Sequence, residues 1–208
     1  MGLASDERRA LCELFEAVGP DAPTLCDGWL TRDLAAHLAV RDRRPDAAGG
    51  IMIPALAPRL KRIQDSYAAK PWAELIELVR TGPPVWSPFN LPGLSDLVNG
   101  GEYFIHHEDV RRGQDGWEPR PPDAERDAAL WRTASMSGRM AYRRSPVGVT
   151  LRRPDGTTAA LHRGPSTVVI KGEPAELLLT VFGRDAARVE FEGEQKAVDT
   201  VRGLERSF

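Results

Sequence analysis

Gly28-Trp29-Leu30-Thr31-Arg32-Asp33-Leu34-Ala35-Ala36-His37-Leu38 is the stretch that decides the fold. Thr31 is a helix-capping residue type, and Leu34, His37, Leu38 and Arg41 then share one helical side until Pro45 limits the run, because proline breaks a helix interior. His37 therefore faces the same way as core leucines. An imidazole in that place is either a hydrogen-bonded core residue or a ligand, and the stretch alone leaves both open.

Working outward, Ser5 with Asp6 and Glu7 reads as a cap and an acidic first turn, followed by Leu11, Leu14, Phe15 and Val18 at helical spacing up to Gly19-Pro20. Beyond a Gly/Pro-rich loop from Pro45 to Pro54, Leu56, Leu60, Ile63 and Tyr67 form another helical stripe. Pro71 then opens a shorter helix carrying Trp72, Leu75, Ile76 and Val79. Four prolines between Gly82 and Gly93 exclude a regular helix there and predict an ordered connection packed by Trp86 and Phe89. Ser95 is expected to cap a helix from Asp96 to Arg112, ended by Arg111, Arg112 and Gly113.

After the proline-rich piece Gln114 to Asp123, a further helix holds Leu130, Trp131, Ala134 and Met140 and extends to about Arg143; the period then changes. Val147, Val149 and Leu151, the turn Arg153-Pro154-Asp155-Gly156 and Thr157 to Leu161 read as a hairpin, with a strand at Ser166 to Ile170. A helix from Pro174 to Phe182, a strand at Arg188 to Phe191 and a last helix through Val198, Val201 and Leu204 complete the chain. The expected seam lies at the prolines 119–122, with a helical unit over residues 1–118 and a smaller α+β unit over 119–208.

Composition bounds the function. The 208 residues, 41% hydrophobic and 28% charged, are those of a soluble globule. A net charge of −2 gives no positive field for a phosphate backbone, so nucleic acid is not an expected partner. The chain has neither a membrane-length apolar run nor a signal-peptide pattern at its start, which predicts a cytoplasmic protein without a membrane partner. The basic residues are almost all arginine, Lys61, Lys70, Lys171 and Lys196 being the only lysines, which fits a GC-rich genome. Cys12 and Cys26 are too few for a disulfide framework and read as reduced thiols; Cys26 as an activated thiol lacks an obvious base among its neighbours. Oligomeric state does not follow from the sequence.

A metal or catalytic site using imidazole must draw on His37, His106, His107 and His162. Glu102 and His106 stand at i and i+4, so both leave one helix face a turn apart and can grip one ion. His37 projects from an earlier helix, and facing helices of a bundle supply the ligands of an interior metal. Three such ligands leave a fourth position open, the arrangement of a catalytic rather than a structural ion. The same Glu-x-x-x-His spacing also occurs as an ordinary helix-stabilising contact. His107, rotated about 100° from His106, reads as an interface or supporting residue, and His162 as surface. Serine-nucleophile elbows, phosphate loops and His-Glu-x-x-His are missing from the sequence.

Residues 28–38 resemble the Trp-x-x-x-Asp-Leu-x-x-His-Leu signature of the mycothiol-dependent maleylpyruvate isomerase family, a branch of the DinB-like bundles. The continuation Arg41-Asp42-Arg43-Arg44-Pro45-Asp46 is similar to an actinobacterial subgroup of metal-binding proteins. Glu102 and His106 match the second family feature, and Gly172-Glu173-Pro174-Ala175-Glu176-Leu177-Leu178-Leu179 through Phe182-Gly183-Arg184 resembles the family's carboxyl-terminal unit. The resemblance implies an α+β protein: an amino-terminal four-helix bundle, and a small unit closing over the open coordination site. It implies a divalent ion, usually zinc, on His37, Glu102 and His106, with Arg184 as the candidate for holding substrate. A dication deprotonates a thiol at neutral pH, so the implied activity is thiol-dependent, with mycothiol as cosubstrate and a small electrophile as acceptor. The thiol either adds to a conjugated double bond and leaves after rotation, an isomerisation, or displaces a leaving group, a transfer. The rival is a non-catalytic metal-binding or regulatory module.

Overall fold

The first helix begins ahead of its expected cap. In the computed structural model, which describes residues 2–44, 46–47, 57–85, 87 and 94–204 (94–98 without their side chains), α1 spans Leu3–Val18 with Gly2 as N-cap. Ser5 lies inside the first turn, where its hydroxyl donates back to the Gly2 carbonyl at 2.8 Å instead of capping an amide. Thr31 is likewise the first residue of α2 (Thr31–Arg43) rather than its cap. Its hydroxyl donates to the Gly19 carbonyl at 2.6 Å, while the Leu30 amide donates to Asp33 Oδ2 at 3.0 Å. In both cases a tertiary or backward hydrogen bond takes the hydroxyl that a local cap would have used.

Helices α3 (Ala57–Ala68), α4 (Trp72–Thr81) and α5 (Leu94–Arg112) follow. Leu56, the loop 48–56, the aromatics Trp86 and Phe89, and the side chain of Ser95 fall outside the described residues. The chain divides into two compact units, Met1–Pro119 and Arg120–Phe208. In the first, α1 packs on α5 and α4, and α2 packs on α3 and α4. Leu11, Phe15, Leu34, Leu38, Leu75, Val79, Tyr103 and Val110 are wholly buried in this core. Gly100 lets α1 and α5 approach: a Cβ there would stand 3.1 Å from Leu3 Cδ2. At the far end of α5 a Cβ on Gly113 would lie 2.5 Å from the Pro23 carbonyl oxygen, so this glycine admits the segment that carries Cys26 and Trp29.

The second unit is α+β. Helix α6 (Ala124–Ala141) is capped by Asp123, whose carboxylate accepts from the Arg126 amide at 2.8 Å. Strands β1 (Gly148–Arg152) and β2 (Thr158–His162) form an antiparallel hairpin; β3 (Thr167–Lys171) runs parallel to β1 on its other side, and β4 (Glu190–Glu192) pairs antiparallel with β3. The sheet order is β2-β1-β3-β4. Val149 and Leu151 of β1 stand beside Val168 and Ile170 of β3, all four buried on one face, as the two-residue period requires. Helix α7 (Pro174–Val181) is buried all round; α6 packs on α7 and β2, and α8 (Gln195–Arg202) packs on β3. Among the described residues no helix is long and apolar enough to cross a membrane.

Candidate metal centre

Two polar stripes face one another inside the first unit. One, on α2, consists of His37 and Arg41, a turn apart. The other runs along α5 as Asn99, Glu102, His106 and Asp109, at the three- and four-residue steps that keep side chains on one face. His37 Nε2 lies 3.5 Å and His106 Nε2 3.3 Å from the same oxygen, Glu102 Oε1. The two imidazole rings are 5.4 Å apart at 72°. His37, Glu102 and His106 thus gather one ligand atom each within 4.8 Å of one another, a two-nitrogen, one-oxygen donor set suited to a divalent ion.

Each donor is held from behind. His106 Nδ1 donates to Asp109 Oδ2 at 2.9 Å, and Asp109 is completely buried. That bond fixes the ring orientation and leaves Nε2 for an ion. Arg41 Nε stands 3.4 Å from Glu102 Oε1, and its NH1 donates to Asn99 Oδ1 at 2.9 Å and Asp42 Oδ1 at 3.3 Å. Asp42 also accepts the Tyr103 hydroxyl proton at 2.5 Å. On the other side of His37, Gln64 Nε2 lies 3.3 Å from Nδ1, and the Trp29 ring is 5.2 Å from the imidazole. With the Gln64 amide nitrogen donating, the His37 proton sits on Nε2 and faces Glu102. Ligation through Nε2 needs that proton on Nδ1, which a turn of the amide to present Oε1 accommodates.

The charge states follow from these contacts. Burial works to raise the Glu102 pKa, but the hydrogen bonds from His106 and His37 and the charges of His106 and Arg41 outweigh it and hold the carboxyl well below its usual range. Burial works against a charge on His106 too; Asp109, Cys26 and Glu102 together overcome it and hold the imidazole well above its usual range. His37 goes the other way, burial lowering its pKa despite the bond to Glu102. Without an ion these contacts favour the proton on His106 and the charge on Glu102 and disfavour a charge on His37, so an ion competes with the His106 proton.

Cys26 has partners that its sequence neighbours did not reveal. Its Sγ donates to Asp109 Oδ2 at 3.2 Å and lies 3.9 Å from His106 Nδ1. The Leu25 amide on the Asp109 carbonyl (3.0 Å) brings the segment there. Cys26, His106 and Asp109 form a second group with ligand atoms within 4.8 Å; it uses Nδ1 of His106 where the first uses Nε2. Asp109 was open to reading as the continuation of the Glu102–His106 stripe; the contacts of Cys26 and Gln64, from distant segments, carry no periodic signal. His107 is buried, its Nδ1 2.8 Å from Glu7 Oε2 on α1, a hydrogen bond between helices. His162 is half-buried on β2. Arg184 follows α7 in the second unit, where NH1 donates to the Phe182 carbonyl at 2.8 Å; it lines a cleft of ≈310 Å³ together with Arg202 and Phe191.

Comparison with known proteins adds a family and a fold. Residues 2–84, which include His37, match the model of the mycothiol maleylpyruvate isomerase N-terminal domain. A crystal structure of a histidine-to-alanine mutant of the mycothiol-dependent maleylpyruvate isomerase is similar over 92% of this chain and 91% of that one, with a TM-score of 0.63 at 15% identity. This second likeness concerns the fold. No curated protein matches the chain. Over residues 2–84 the chain is similar to the mycothiol maleylpyruvate isomerase N-terminal domain family.

Proposed function

We propose that this protein is a divalent-metal-dependent enzyme that uses a thiol, mycothiol by its family, to isomerise or to be transferred to a small electrophilic substrate. Its helical unit is read as a DinB-like four-helix bundle with the ion on His37, Glu102 and His106, and zinc as the first candidate. One observation carries the reading: three ligand atoms of suitable type converge within 4.8 Å, and one of the imidazoles is backed by a buried carboxylate. The family match and the neighbouring isomerase structure support the thiol and the reaction class.

An ion in this set lowers the pKa of a thiol that reaches it and so supplies the nucleophile near neutral pH. The chain's own groups do the rest. Asp109 keeps the His106 proton on Nδ1, Arg41 keeps Glu102 ionised, and Trp29 shields one side of His37 from water. Arg184 is assigned to the substrate's carboxylate, a role for which a guanidinium offers paired donors.

The first test is metal content after purification without chelators: about one ion per chain, lost in His37→Ala and in His106→Ala. Stoichiometric metal that survives both substitutions removes the assignment. Titrating mycothiol into the cobalt(II) form then separates enzyme from binding module. Charge-transfer absorption is expected, and its absence at millimolar thiol overturns the thiol reading.

A further inference from the structure

The second unit carries a positive surface that the proposed chemistry does not use. Between Trp131 and Val147 and between Thr157 and Ser166 the chain holds Arg132, Arg139, Arg143, Arg144 and Arg163, and neither an aspartate nor a glutamate. All five arginines are exposed, and among the described residues none is ion-paired. The two stretches are α6 with its exit and β2 with its exit. They pack closely because of Gly138, where a Cβ would stand 2.7 Å from Leu161 Cδ1.

A groove of ≈590 Å³ runs between them, and it meets every successive residue from Thr158 to Arg163. Neighbouring side chains of a strand point to opposite faces, so a groove that touches all of them in turn follows the strand's edge rather than either face. That edge is open: β2 ends the sheet, with β1 on one side and no strand on the other. An open edge presents unpaired amides and carbonyls to whatever lies along it. The opposite wall is a stripe of α6, Trp131, Ser135 and Arg139. Ser135 Oγ is shut off from solvent and has no hydrogen-bond partner among the described residues. Met136 and Met140, exposed by 50% and 58%, stand on the adjoining stripe of the helix and offer adaptable apolar contact at the rim.

These features select an occupant. An extended chain can pair with the β2 edge, and its carboxylates would find Arg139 and Arg163, which line the groove without an acidic neighbour. A second copy pairing β2 with β2 would set these arginines near one another, an unfavourable arrangement of like charges. The sheet's other edge, β4, is acidic but only three residues long, and its Glu192 is already paired with Arg152. A nucleic acid would use the arginines but neither the strand edge nor the methionines. The geometry points to the groove between β2 and α6 as a docking site for an acidic, extended segment of another protein, which adds to the four-stranded sheet as a further strand beside β2. The inference is independent of the ion and of the thiol.

The test uses the full chain and a short capped peptide alternating glutamate and valine, followed by NMR at the β2 amides and by anisotropy of a dye on the peptide. Saturable binding that shifts the β2 amides is expected, and a matching lysine–valine peptide should not bind. Arg139→Glu combined with Arg163→Glu, both on exposed surface, should weaken binding at least about tenfold with circular dichroism unchanged. Strand addition uses the amides on one edge of the peptide, so of two forms N-methylated at the glutamates or at the valines, at least one should lose about tenfold or more. No shift at millimolar peptide, binding that survives the double variant, or full binding by both methylated forms overturns the docking site. Tighter binding of a single-stranded oligonucleotide than of the peptide overturns it too. So does a dimer of the chain alone, seen by sedimentation, that dissociates in the double variant, because the edge then belongs to a second copy.

Discussion

Replacing Asp109 by Asn tests the centre without removing a ligand. Asp109 is fully buried, and its Oδ2 accepts from His106 Nδ1 at 2.9 Å and from the Cys26 thiol at 3.2 Å. The Leu25 amide bonds to the backbone carbonyl of Asp109, not to its side chain, so the segment bearing Cys26 keeps its anchor in the variant. Asn matches Asp in shape, but it removes the charge, and an amide turned nitrogen-first would draw the His106 proton to Nε2, where the ion should bind. A hydrogen bond to a charged group contributes about 1.5–3 kcal/mol. Loss of a carboxylate behind a metal-binding histidine costs about 10–100-fold in affinity, or about 1.4–2.8 kcal/mol. The two routes agree, so Asp109→Asn should weaken zinc binding by about one to two orders of magnitude, measured by competition with a chromophoric chelator, with circular dichroism unchanged. Cys26→Ser should leave the affinity nearly unaltered. A folded Asp109→Asn protein with wild-type affinity refutes the reasoning. A collapse of affinity in Cys26→Ser moves the ion to the Cys26, His106 and Asp109 group.

Because His106 is held protonated above its usual range, metal uptake should release about one proton per ion, and affinity should rise about tenfold per pH unit until that pKa is passed; a pH-stat titration without proton release contradicts the assigned charge state. The raised pKa also gives the metal-free protein stability that is present below the ordinary imidazole pKa and lost as pH rises through the elevated one, so its urea midpoint should fall over that interval while that of the zinc-loaded protein does not. Gln64→Glu places a carboxylate behind His37 as Asp109 stands behind His106, favouring the Nδ1–H tautomer; zinc affinity should increase by up to about tenfold, and a decrease would show that His37 does not bind through Nε2. Arg41→Ala leaves Asp42, which is completely buried, without its guanidinium; removing one partner of a buried pair costs about 3–5 kcal/mol, to be read as a lower urea midpoint.

The sequence carried the parts of this protein that periodicity encodes. The stripe Leu34, His37, Leu38, Arg41 and the pair Glu102, His106 are repeats along single helices, and so is the alternation Val149, Leu151 in β1. Helix starts were less legible. Ser5 and Thr31 have the chemistry of caps, but Ser5 lies one turn in, and Thr31 turns its hydroxyl to Gly19, a contact between α2 and the end of α1 that no local rule contains. Cys26 shows the limit more sharply. It meets Asp109 across 83 positions only because Gly113 leaves room for Pro23 and because Leu25 donates to the Asp109 carbonyl. Gln64, on α3, reaches His37 through helix packing alone.

The charges around Glu102 give a reason for retaining so polar a stripe inside the unit. Asp42, Glu102 and Asp109 contribute three carboxylates within one hydrogen-bonded cluster, against the guanidinium of Arg41 and the proton on His106. Burial works to raise the Asp42 pKa while the Tyr103 hydroxyl and the charges of Arg41 and Arg8 work against it; gathering such carboxylates away from bulk water is costly in a medium of low dielectric. Exchange of the His106 proton for a dication adds one positive charge to face these carboxylates. The positions that look most expensive in the metal-free chain, the buried Asp109 and Asp42, are thus those that set the charge an ion balances. An apolar residue at either would relieve the metal-free chain but take away a negative charge that faces the ion. On this account the cluster suits a doubly charged ion, whose charge its buried carboxylates attract.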